Sequence, residues 1–220
     1  MNKVVIITGA SSGIGLATAE FLSVKGYTVY GLSRKVFLTN KYTHLLCDVT
    51  KEEEIKNIFR KVYEKEKRID VVINNAGIGV SGAVEYSTNE ELERIFSLNV
   101  NAVIKISQIA IPYLRESQGR IINISSVASE MTIPFQTYYS MTKACVNVLT
   151  EGLRMELKPF HIQVTAVLPG DTKTAFTSNR SKPFVNRDEL YKERIVNSLK
   201  RMEKDEENGV HPIKVAKVIY

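Results

Sequence analysis

The sequence predicts an α/β fold in three layers, a doubly wound parallel sheet with helices packed on both faces. Three observations predict it. Apolar, β-branched runs alternate with stretches of helix length. The runs are continuous rather than alternating in polarity, which suits strands covered on both faces. The first run passes directly into a glycine-rich turn that opens a helix. With 220 residues, 44% of them hydrophobic and 25% charged, the chain reads as one domain, 1–220, with a sizeable core.

The elements follow in order. VVIIT (4–8) is the first strand, and LATAEFLSVK (16–25) the first helix, closed by Gly26. YTVYGL (27–32) and HLLC (44–47) are the second and third strands. Thr50 with Glu53 makes a capping box for a charged helix, and DVVIN (70–74) is the fourth strand. Ser87 with Glu90 makes a second capping box, for a long helix near 88–115. RIINI (120–124) is the fifth strand, a helix covers 137–158, and IQVTAVL (162–168) is the sixth strand. The polar segment 171–190 reads as a mobile loop before a charged helical stretch. In the last ten residues Val215, Val218 and Ile219 have helical spacing and no seventh strand follows within the sequence; either the chain continues beyond Tyr220, or it ends there and leaves the sixth strand an exposed edge.

Several function classes are disfavoured. The first apolar run is too short for a signal peptide or span, and no other run reaches about 20 apolar residues, so no membrane association is expected. Cys47 and Cys145 stand far apart without a CxxC pair, which points to a reducing, cytoplasmic setting. Cys145 reads as a small core residue. His44, His161 and His211 lack ligand spacing, so no metal is expected. The net charge of +6 is spread among acidic residues, as in KEEEIKNIFRKVYEKEKR (51–68), a solvated helix face rather than a nucleic-acid footprint.

Chemistry enters at TGASSGIG (8–15). Gly9, Gly13 and Gly15 let the backbone turn tightly and approach a pyrophosphate, and Ser11 and Ser12 add hydroxyl donors. Unpaired N–H groups and the dipole at the following helix start favour an anion. The spacing is G-x3-G-x-G, not the G-x-G-x-x-G of the standard dinucleotide fingerprint. After the second strand the chain reads Gly31-Leu32-Ser33-Arg34-Lys35, with no carboxylate to bind a ribose diol. A guanidinium there holds phosphate in a forked geometry, so NADP is expected in preference to NAD.

These residues, with Asp48-Val49, NNAG (74–77), Asn99, Ser126, Tyr139-x-x-x-Lys143 and PGDTKT (169–174), resemble the short-chain dehydrogenase/reductase family from residue 3 to about 176. The resemblance implies a Rossmann fold of strand order 3-2-1-4-5-6-7, its last strand missing from this chain. It also implies roles. Ile14 offers its backbone to the cofactor phosphates, and Asp48 and Val49 contact the adenine. Asn75, Ala76 and Gly77 line the adenosine ribose side. Thr172 and Thr174 close over the nicotinamide amide, with Pro169 and Gly170 alongside. The short connection from Arg34 to Asp48 looks like the 17β-hydroxysteroid dehydrogenase-like branch. The 3-oxoacyl carrier-protein reductases are near relatives, and a homo-oligomer, dimer or tetramer, through the two long helices is implied.

The implied activity is hydride transfer between nicotinamide and a carbonyl or secondary alcohol. Reducing a carbonyl requires a proton at its oxygen. Residues four apart share a helix face and residues five apart do not, so Tyr139 pairs with Lys143 and Tyr138 does not. Tyr139 is expected to be the general acid/base, and the ammonium of Lys143 to lower its pKa. By resemblance Lys143 also holds the nicotinamide ribose, Ser126 rather than Ser125 orients the substrate oxygen, and Asn99 braces a helix and holds a water. Val127, Met131, Ile133, Phe135 and Phe176 are candidates for a lipophilic pocket, and Tyr138 for packing. The rival reading is a dinucleotide-binding sensor without catalysis, although such proteins usually lack part of the tetrad.

Overall fold

A computed structural model describes residues 2–176, 180 and 189–220. Six parallel strands, β1 (Val4–Thr8), β2 (Thr28–Ser33), β3 (Thr43–Leu46), β4 (Val71–Asn74), β5 (Arg120–Ile124) and β6 (Gln163–Val167), lie in the order β3-β2-β1-β4-β5-β6. The order reverses between β1 and β4, and a crevice opens there at the carboxyl ends of the strands.

Side-chain alternation on β1 shows how the three layers are cemented. Val4 and Ile6 face a core shared with α2 (Glu52–Glu66), α4 (Ala102–Ser117) and α5 (Thr137–Glu156). Val5 and Ile7 face the opposite core, shared with α1 (Gly13–Val24) and α7 (Pro212–Ile219). Both sets are fully buried, which is why the strand reads as an unbroken apolar run. Preceding α4 and packed against α5, α3 (Asn89–Phe96) passes through a π-helical turn, Ser97–Asn101, into α4. A third, smaller cluster joins Ile195, Leu199 and Met202 of α6 (Lys192–Glu207) to Ala83, Ile133 and Phe135.

Local readings needed correction. Thr50 does not cap α2: its N–H and hydroxyl both donate to Asp48 Oδ1 (3.0 and 2.8 Å), Lys51 is the cap residue, and Glu54 accepts from the Asp48 N–H at 2.8 Å. The second box is shifted by one residue, with the Thr88 hydroxyl accepting from the Glu91 N–H. On α7, Val215 and Ile219 are buried but Val218 faces solvent. Cys145 is exposed on α5, not a core residue. The loop expected over 171–190 lies partly outside the described residues, 177–179 and 181–188 among them. Finally, 89–117 taken as one helix is long and apolar enough to cross a membrane. Here, however, Ile95, Val103, Ile106, Ala110 and Leu114 are buried in the domain, the pattern of a core helix.

Candidate active site

A cleft of about 670 Å³ runs across the carboxyl ends of the strands, from Arg34 at one end to Tyr139 and Phe176 at the other. Its floor is the turn after β1. Gly9 and Gly13 adopt φ of 68° and 55°, which only glycine enters without strain. A side chain at Gly15 would strike the Gly9 carbonyl oxygen at 2.3 Å, so Gly15 faces the protein and not the cleft. Asn75 ties this turn to β4: its Nδ2 donates to the carbonyl oxygens of Thr8 (2.8 Å) and Gly9 (3.3 Å), while the Thr8 hydroxyl accepts from the backbone N–H groups of Asn75 and Ala76.

The start of α1 fits a bound phosphate. Ser12, its cap residue, makes no side-chain capping bond, and the first turn has no acidic residue. Its first backbone N–H groups therefore stay available to an anion, with no carboxylate to compete. Thr174 closes the turn from above, 3.2 Å from where a Cβ on Gly13 would lie. Thr172 is less available, since its hydroxyl donates to Gly170 O at 2.9 Å. Ser11, Ser12, Ile14, Ser33, Val49, Ala76, Gly77, Pro169 and Gly170 all line the cleft.

Asp48 does not. Burial would raise its pKa, but the two bonds from Thr50, with Arg34 and Lys51 nearby, hold the carboxyl below its ordinary value. It organises the turn after β3 and leaves the cleft wall to Val49.

At the far end Tyr139, Ser126 and Lys143 converge. Tyr139 and Lys143 lie on the inward face of α5, while Tyr138 does not reach the cleft. The Ser126 hydroxyl lies near the Tyr139 phenol and lowers its pKa, and it accepts from the Ala128 N–H at 3.1 Å. Ser125 instead donates to Lys143 O. Lys143, 5% exposed, donates from Nζ to Ile124 O at 2.8 Å.

The electrostatics differ from the expectation. Burial pushes the Tyr139 phenol up to about 12, opposed by the Ser126 hydroxyl and the charge of Arg180. Burial pushes Lys143 down to about 8. In this state the phenol is therefore harder, not easier, to ionise than in water. The lysine spends a hydrogen bond on the backbone while its own charge is penalised.

Asn99 is not in the cleft wall. It is 1% exposed within the π-helical turn, accepts from the Ile78 N–H and donates to Ile78 O, both at 2.9 Å, and donates to the Thr142 hydroxyl at 3.1 Å. It clamps the chain after Gly77 onto α5 at Thr142, the residue before Lys143. A π-turn at such a position recurs at functional sites, because the extra residue aims a side chain that a regular helix would point elsewhere.

Of the apolar candidates, Val127, Ile133 and Phe176 line the cleft, and Met131 and Phe135 do not. Met131 faces solvent; Phe135 packs its ring against Tyr191. Sequence reasoning missed an ion pair at this end. Arg180, its side chain 1% exposed, is bonded to Glu206 of α6 and packs its guanidinium 5.7 Å from the Phe176 ring centroid. Nothing in the sequence marks this pair, which joins segments 26 residues apart through a cleft.

The chain matches the family model described as short chain dehydrogenase over residues 3–183. It is 41% identical over 220 residues to a 3-ketodihydrosphingosine reductase of Bacteroides thetaiotaomicron, covering 99% of this chain and 82% of that protein. A 3-oxoacyl-[acyl-carrier-protein] reductase of Thermotoga maritima is 34% identical over 188 residues, 80% of this chain and 76% of that one. Among solved structures, a short-chain dehydrogenase from Streptomyces avermitilis superposes with a TM-score of 0.88 at 32% identity, covering 99% of this chain and 82% of that one.

Proposed function

The chain belongs to the short-chain dehydrogenase family, and from that premise we propose that it is an NADP-dependent reductase of a lipophilic ketone, working through Tyr139, Lys143, Ser126 and Asn99. The observation that carries this reading is the convergence of Ser126, Tyr139 and a buried Lys143 on one end of a cleft whose other end is lined by the open start of α1 and by Arg34.

NADPH, held by the α1 start and by Arg34 and Lys35, would supply the hydride. The substrate oxygen lies against the Ser126 and Tyr139 hydroxyls, Ser126 orients it, and Tyr139 gives up its proton as negative charge develops there. Lys143 has donors beyond the one spent on Ile124, and these suit the nicotinamide ribose hydroxyls. With water excluded from this end of the cleft, the Lys143 ammonium would attract a Tyr139 phenolate more strongly and so lower the cost of its proton transfer. Asn99 keeps the backbone at Ile78 in register with α5.

The preference for NADP rests on the cations Arg34 and Lys35 lining the cleft after β2, with no carboxylate at that turn. A lipophilic ketone is supported by Val127, Ile133, Phe176 and Met202 in the cleft wall, and by the 3-ketodihydrosphingosine reductase relative. The short chain between Arg34 and Asp48 supports the 17β-hydroxysteroid dehydrogenase-like branch. A 3-oxoacyl thioester is the second candidate, favoured by the Thermotoga maritima relative. We also infer a cytoplasmic homo-oligomer. Met141, Val148 and Met155, seven residues apart on α5, are 46%, 70% and 72% exposed and form an apolar stripe suited to a second copy.

The test is the loss of reduced-nicotinamide absorbance with a panel including 3-ketodihydrosphingosine, a 3-oxoacyl thioester and simple ketones, with NADPH and with NADH. Turnover of a ketone with NADPH supports the reading. Tight NADPH binding with no turnover of any carbonyl would instead favour a cofactor sensor.

A further inference from the structure

His44 on β3 does not line the cleft, yet it holds a residue that does. Its Nε2 lies 2.7 Å from the Ser33 hydroxyl, and that hydroxyl is also 2.9 Å from Lys35 O. The Ser33 hydroxyl has a single hydrogen, and a carbonyl oxygen can only accept. The hydrogen must therefore go to Lys35 O, and the bond to the ring must be donated by His44. Burial lowers the His44 pKa, so the ring is neutral at neutral pH and has only one N–H. The hydrogen count places that N–H on Nε2.

The ring itself is fixed from two sides. Register pairs His44 with Gly31 across β2 and β3, and Phe37 packs edge-on to the imidazole with centroids 6.3 Å apart. Phe37 also stacks on Tyr42, whose hydroxyl donates to Ala10 O in the glycine-rich turn. The chain His44, Ser33, Lys35 O thus closes the turn that projects Arg34 and Lys35 into the cleft, and anchors it to the sheet edge.

We propose that His44 is a positioning residue for the 2′-phosphate end of the cofactor: by donating to Ser33 it fixes the Arg34–Lys35 turn and so sets the preference for NADPH over NADH. The inference rests on the NADP reading above. Two exposed cations on a loose turn would attract any anion; held in one geometry, they distinguish a ribose phosphate from a ribose diol.

The test is fluorescence titration of the whole chain with NADPH and NADH, for the wild type, His44→Leu, His44→Gln and Ser33→Ala. Leucine removes the donor and keeps the bulk, and glutamine restores an N–H donor near Nε2. The expected result is about a five- to tenfold loss of NADPH affinity in H44L and S33A, with NADH affinity unchanged and H44Q close to wild type. Equal weakening toward both coenzymes, no rescue by glutamine, or no change at all would overturn the positioning role. A wild type that binds both coenzymes equally would sink the NADP reading, and this inference with it. If H44L does not fold, as judged by circular dichroism, S33A and H44Q still separate these outcomes.

Discussion

The Lys143 ammonium lies 5.7 Å from the centroid of the Tyr139 ring while donating its short hydrogen bond to Ile124 O. The lysine is thus fixed beside the phenol by the end of β5, not by the phenol itself. Its position survives the loss of the hydroxyl. Replacing Tyr139 with Phe is accordingly expected to leave NADPH affinity and thermal stability near wild type while lowering kcat by about a hundredfold or more. Steady-state kinetics beside a coenzyme titration check this. Activity within about tenfold of wild type would require another proton donor.

The same arrangement makes stability depend on pH in a defined direction. Lys143 falls from its ordinary 10.5 to about 8 on folding, so between those values the unfolded chain holds more protons than the folded one. Stability of the coenzyme-free protein from this group therefore rises with pH across about 8 to 10.5. Tyr139 goes from its ordinary 10.0 up to about 12, so its contribution falls as pH rises through that higher window. Lys143→Met should abolish the rise and stabilise the coenzyme-free protein at neutral pH by on the order of 2 kcal/mol. Thermal melts across pH measure both; a rise of the same slope in K143M would assign it to another group.

Asn99→Leu should act at a distance from the reacting atoms. It strands the partly buried N–H and C=O of Ile78 and removes a donor from Thr142, at a cost of about 1–3 kcal/mol. A displaced Ile78 also shifts the chain beside Gly77, so kcat is expected to fall by about tenfold to a hundredfold. Asn99→Asp keeps the acceptor for the Ile78 N–H but loses both donated bonds, and should fall between. Calorimetry and kcat on the two variants check the order.

The stripe of Met141, Val148 and Met155 on α5 gives the oligomer prediction. A carboxylate at the centre of an apolar contact must be desolvated without a partner, so Val148→Glu should dissociate the assembly while leaving the exposed monomer surface tolerant of the change. Sedimentation velocity on both proteins checks it. Unchanged sedimentation would move the interface elsewhere.

What the sequence made legible were features set by local chemistry. The unbroken run Val4–Thr8 marks a strand buried on both sides, and the glycines at 9 and 13 mark a turn only they can make. The four-residue interval between Tyr139 and Lys143 marks a shared helix face. What stayed hidden depends on contacts between distant segments. The π-turn that aims Asn99 is settled by Ile78 and Thr142, 21 and 43 residues away. The bonds that tie Asp48 to Thr50 and Glu54 likewise leave no mark in the spacing. Helical spacing shows the ammonium near the phenol but not the burial, and burial is the larger effect on the phenol's pKa.

The Arg180–Glu206 pair offers a way to identify Tyr139 in a pH profile. Arg180 lowers the phenol's pKa and Glu206 raises it. A tyrosine acting as general acid must be protonated, so the rate of ketone reduction falls as pH rises through its pKa. Arg180→Met removes the stabilising charge and leaves Glu206, so the alkaline limb should move to higher pH. Glu206→Gln leaves Arg180 unopposed, so the limb should move lower. Removing either partner also breaks a partly buried pair, so both variants should melt earlier. Loss of the pair lowers stability in both; only an effect on Tyr139 moves the limbs in opposite directions. Limbs that stay in place, or move together, would assign the titration to a group other than Tyr139.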